Sequence, residues 1–157
     1  MASSKRLSLA SQAFSLRHAY PQGRGRIERG GRLVFDVQLQ PTIASCTYSV
    51  RIEYALGRQP QVRVLDPPLR LREGASEIPH IYSANRICLH LPDEWTADMQ
   101  IADTIAPWLS EWLAHYELWL ATGTWLGGGH EATAPSEPES SRGSSNQQSP
   151  PDSQPSK

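Results

Sequence analysis

The residue best suited to covalent chemistry is Cys88, because a thiolate is a strong nucleophile and its thioester keeps enough reactivity for an amine to attack it. Cys88 stands in the extended apolar stretch RICLHL; His80 precedes it by the seven intervening residues IYSANRI, and Asn85 lies three residues upstream. The imidazole of His80 can give a hydrogen bond or, with an ordinary pKa of about 6.5, take a proton, and the amide of Asn85 is a further donor on the same segment. Without chemistry, Cys88 is ordinary core, His80 a loop-packing histidine and Asn85 a turn former.

Other chemistries fit less well. Cys46 and Cys88 are separated by 41 residues, so there is neither a disulfide framework nor paired C-x-x-C spacing, and a reducing, cytoplasmic setting is expected. Cys46, His80, Cys88 and His90 match no metal-ligand spacing. No G-x-x-x-x-G-K-[ST] is present, so the protein is not expected to adenylate with ATP itself, and no cofactor is expected. A papain-like hydrolase would need a helix-borne cysteine, which RICLHL is not. WLGGGH resembles the Gly-Gly end of a ubiquitin-like modifier, but 27 residues follow His130, and a helix-terminating turn explains the glycines better.

The elements that must position these residues follow from periodicity. Leu7, Ala10 and Phe14 suggest an amphipathic first helix with Ser3 or Ser4 as its cap. GRGRIERGGR over residues 23–32 reads as an exposed loop. Alternation over Leu33–Leu39 and Tyr48–Leu56 gives two strands joined as an antiparallel hairpin, and Val62 with Val64 gives a third strand, ended by Asp66, Pro67 and Pro68. Residues 69–87 read as an irregular crossing. From Ile101 to Trp119 the apolar spacing is helical, and Pro107 requires a kink or a fresh helix start. The expected class is therefore α+β, with a catalytic domain over 1–129. Residues 130–157 hold eight Ser and five Pro and read as a disordered tail.

The context of Cys88 resembles the active-site signature of ubiquitin-conjugating enzymes. In that family His-Pro-Asn precedes the cysteine by seven residues, leucine follows it, and a tryptophan leads into an apolar helix. Here the triplet is Ile78, Pro79, His80, the doublet is Cys88–Leu89, and Trp95 opens WTADMQIADTI. The helix, the meander and QPQVRVLDPP come in the family's order, so the resemblance covers about residues 3–121. It implies an enzyme that carries a protein C-terminus as a thioester on Cys88 and transfers it to a target lysine. His80 replaces the family's oxyanion-binding asparagine. The family's acidic residue beyond the catalytic helix has no counterpart, since Glu111 and Glu117 lie inside the helical pattern, so the proton acceptor for the lysine stays open.

The segment EWLAHYELWLATGTWLGGGH is similar to bacterial members from anti-phage operons of cyclic-oligonucleotide signalling (CBASS). That likeness implies, as cargo, the C-terminus of a cyclic GMP–AMP synthase-like nucleotidyltransferase; a ubiquitin-like protein is the alternative of general modifier transfer. Because nothing here binds ATP, loading needs a separate activating enzyme or a partner that arrives already activated. Two other readings compete: a catalytically inactive module of the same fold, and a nucleic-acid binder using Arg24, Arg26, Arg29 and Arg32. The second lacks interleaved aromatics, and a net charge of −1 gives no basic field. The basic, serine-rich start resembles a transit peptide but reads better as the first helix, and no apolar run reaches the roughly 18 residues of a membrane span.

Overall fold

The structure is a computed structural model and describes residues 5–127. The tail expected over 130–157 lies outside those residues.

Helix α1 spans Leu9–Ala19 and starts where Ser8, in extended backbone, accepts the Ser11 N–H at 3.1 Å. A serine hydroxyl at this position satisfies a donor that the helix itself cannot. The buried face is Leu9, Gln12, Ala13 and Leu16, which displaces the stripe expected from Leu7, Ala10 and Phe14; Phe14 is 73% exposed and stacks on His18. Gln12 sets this rotation. Its fully buried amide donates to the Met99 C=O at 2.8 Å and accepts the Ile101 N–H at 2.9 Å, tying α1 to the segment that leads into the last helix.

Four antiparallel strands follow in sequential order: β1 Arg24–Glu28, β2 Arg32–Leu39, β3 Tyr48–Ala55 and β4 Gln61–Asp66. The last three are the expected meander. β1 corrects the expected loop, and glycine is the reason. Gly25 pairs with Phe35 across the strands, and a Cβ there would lie 2.8 Å from the Phe35 ring; at Gly23 it would lie 2.3 Å away. The missing side chains let β1 run flat against a fully buried aromatic ring. Gly30 and Gly31, with φ of 99° and 76°, then make the turn into β2.

The inner sheet face carries Phe35, Ile52 and Val62 in one row and Leu33 and Tyr54 in another. The outer face is an ionic lattice. Asp36 accepts two hydrogen bonds from Arg51, at 2.6 and 2.8 Å, Glu28 bridges Arg26 and Arg32, and Glu53 pairs with Arg32 and Arg63. Val34 sits between Arg26 and Glu53 in register and is 1% exposed, so the stems of these charged side chains bury it.

After a cis Asp66–Pro67 bond the chain runs irregularly to His80, as expected, and then forms a small hairpin that periodicity did not predict. It comprises β5 Ile81–Tyr82, a 3₁₀ turn at Ser83–Asn85 and β6 Arg86–Ile87. Strands of two residues are too short to show a period. Trp95, 2% exposed, packs edge-on to Tyr54 and donates its indole N–H to Thr104 at 3.2 Å.

Helix α2 spans Ile105–Thr122 with Pro107 in its first turn, where a missing N–H breaks no helical bond; the helix starts afresh rather than kinking. Its buried residues, from Ile105 through Trp112 to Trp119, join one core with the inner sheet face and α1. Gly123, at φ 80°, caps it. Two polar anchors fix α2 at the edge of the core. Tyr116 Oη accepts the Arg70 N–H and donates to the Arg70 C=O, and Glu117 accepts from the Cys46 N–H and the Tyr48 hydroxyl.

Candidate active site

Cys88 comes directly after β6, and its N–H donates to the His80 C=O at 2.9 Å, closing the hairpin at its base. The thiol is half-buried and donates to the Tyr82 Oη at 3.0 Å. The Tyr82 phenol is pushed above its ordinary pKa, first by that hydrogen bond and then by burial. It therefore stays neutral, and a neutral hydroxyl can turn to donate to a thiolate. Tyr82 is a site residue that sequence reasoning missed. Its contact spans six positions across a hairpin turn, and only recognising that hairpin would have found it.

His80 and Asn85 have φ of 54° and 56°, left-handed backbone that costs a non-glycine residue roughly 1 kcal/mol or more. At His80 this conformation aims the carbonyl at Cys88 while the ring packs 5.2 Å from Trp125. At Asn85 it ends the 3₁₀ turn, just before β6. Asn85 is exposed there.

Two clefts meet at the thiol. The larger, about 670 Å³, is lined by His80, Cys88 and His90 together with Glu94, Glu111 and His115. Its aromatic wall is Trp108, Trp112 and Trp125, the last contributed by the stretch after α2. The smaller, about 150 Å³, is lined by Gln59, Pro60 and Gln61 with Tyr82, Arg86 and Pro92. Cys88, Leu89 and His90 line both; Asn85 lines neither. Thus His80 and Cys88 are brought together, and Asn85 stands apart. Cys46 is also apart: it is exposed, with its Sγ 3.4 Å from Glu117 Oε1.

Glu117 is spoken for structurally. Burial would push its carboxyl up, but donors on Ser45, Tyr48 and Cys46 outweigh that and hold it below the usual range. Glu111, by contrast, is 69% exposed at its side chain and lies 3.7 Å from His115 Nε2. Among the described residues no group of three or more His, Cys, Asp or Glu is placed to hold a metal ion. No described helix is long and apolar enough to cross a membrane.

An N-terminal helix, a four-stranded antiparallel sheet, a crossing that ends in a half-buried cysteine and a long closing helix make an α+β architecture compatible with the ubiquitin-conjugating (E2) class. The family model of the Type II CBASS E2 protein matches residues 12–132, more than half of the chain, and the chain belongs to that family. It is thus a CBASS-associated E2-like protein, conjugating in the coarse sense its family name carries, with partners within a CBASS operon. No curated protein matches it.

Proposed function

We propose that the protein carries a protein C-terminus as a thioester on Cys88 and transfers it to an amine on a target in anti-phage defence. The cargo is the C-terminus of the operon's cyclic GMP–AMP synthase-like nucleotidyltransferase. The observation that carries this reading is a half-buried thiol, hydrogen-bonded to a neutral hydroxyl, at the junction of two clefts. One side can hold an acyl chain while an amine arrives from the other.

The Cys88 thiolate attacks the carbonyl of a C-terminus already activated elsewhere, by a separate activating enzyme, and displaces its leaving group. In the second step a lysine amine attacks the thioester carbonyl, and the sulfur departs as the amide forms. His80, at the same cleft, gives a hydrogen bond to the oxyanion between these states. Asn85 holds the turn that keeps His80 and Cys88 in register.

Co-expression with the neighbouring nucleotidyltransferase and the enzyme that activates its C-terminus, followed by non-reducing electrophoresis, tests the assignment. A thiol-sensitive adduct is expected that disappears in Cys88→Ala and survives in Cys46→Ala; an adduct indifferent to Cys88 refutes it. Absence of any adduct favours an inactive module. His80→Ala is expected to load normally and to discharge to lysine ~10²-fold more slowly; an unchanged discharge rate removes the oxyanion role.

A further inference from the structure

We propose that His90 is the proton acceptor for the incoming amine and that the larger cleft is the amine's way in, an inference that rests on the thioester reading above. His90 Nδ1 lies 2.6 Å from the Leu91 C=O. A carbonyl only accepts, so Nδ1 carries the hydrogen, and in the neutral ring the lone pair sits on Nε2. The tautomer is therefore set by the chain's own backbone, in the form a general base requires. Glu94 reinforces it, because Glu94 Oε2 accepts the Leu91 N–H at 2.7 Å and so holds the residue whose carbonyl orients the ring.

His90 lines both clefts together with Cys88, two residues away. The His90 ring packs 5.6 Å from Trp108, and the neighbouring imidazoles face other partners. His115 directs Nε2 at Glu111, and its ring lies 5.9 Å from Trp125, which the His80 ring also faces.

Charge points the same way. The larger cleft presents Glu94 and Glu111 and, among the described residues, no Lys or Arg, while Trp108 and Trp112 offer aromatic surface. Carboxylates with indole rings suit a primary ammonium on an apolar stem, which is a lysine side chain. The titratable or charged groups around His90 are Cys88, His80, His115, Glu94 and Glu111 on this side and Tyr82 and Arg86 on the other.

The ammonium gives one proton to His90 Nε2. The freed amine attacks the thioester carbonyl, the C–S bond breaks as the C–N bond forms, and the second proton leaves the nitrogen with the departing sulfur, restoring the Cys88 thiol. The imidazolium then returns its proton to solvent.

Loading Cys88 of the full chain from a synthetic glycine-ending peptide thioester, then following discharge to free lysine or to hydroxylamine, tests the role. His90→Asn keeps a donor for the Leu91 carbonyl and removes the Nε2 acceptor. Loading and discharge to hydroxylamine, an amine already unprotonated at neutral pH, are expected to be unchanged. Discharge to lysine is expected to fall ~10²-fold and to recover with added imidazole. With pH, the wild-type rate levels off while the variant rate keeps climbing in proportion to free amine. Unchanged lysine discharge in His90→Asn, the same loss in His18→Gln on α1, or equal loss with hydroxylamine overturns the role of His90. Failure of wild-type Cys88 to take up the acyl group overturns instead the thioester reading on which it rests.

Discussion

At the scale of single residues, Tyr82 supplies the most direct test of the thiol's surroundings. Tyr82→Phe removes the hydroxyl 3.0 Å from Sγ, and a hydrogen bond to a charged partner is worth about 1.5–3 kcal/mol. Alkylation of Cys88 by iodoacetamide at neutral pH should therefore slow roughly tenfold. A rate equal to that of the wild type would mean the hydroxyl only packs there. In the sequence, the seven residues between them single out Cys88 and His80 as candidates. Tyr82 and His90 leave no such sign, since their places come from a two-residue hairpin and from one backbone carbonyl, neither of which has a period.

Among the elements, α2 and the meander were readable from long apolar periods, and Pro107 marked where the helix begins. α1 was readable as a helix but not in its orientation, because the residue that sets its rotation is a buried glutamine. β1 has no such period, because its glycines argue against regular structure while the ring of Phe35, set by the fold, requires them. Two measurements follow from these causes. Gln12→Leu leaves the Met99 carbonyl and Ile101 N–H without their partner, and burying such groups unpaired costs ~1–3 kcal/mol each. The urea midpoint should fall accordingly, and a variant as stable as wild type would show that the bridge is replaceable. Gly25→Ala should also destabilise, since its Cβ would require the Phe35 ring to move; an unchanged midpoint would show that the core yields there.

For the molecule as a whole, the carboxylates that matter to stability at low pH lie away from the site. Asp36 is held below its usual pKa, first by its hydrogen bonds from Arg51, and Glu117 is held low by the donors around it despite burial. A folded-state pKa below the unfolded one gives stability that is present above the unfolded value, about 4 for these groups, and lost as pH falls through the folded value. Melting temperature should thus be level from neutral pH down to about pH 5 and drop below that, and Glu117→Gln should make the acid limb shallower. An equally steep limb in that variant would place the loss elsewhere.

The two clefts at Cys88 share only the stretch from Cys88 to His90; otherwise one is walled by the stretch around Gln59–Gln61 and the hairpin, the other by α2 and Trp125. Under the proposed thioester mechanism, a small molecule wedged against Trp108 and Trp112 would stop delivery to the target while leaving the sulfur reachable from the far side. On that mechanism the protein would then accumulate in its charged form. A blocker seated by Gln59 would do the opposite, so each half of the cycle can be arrested separately.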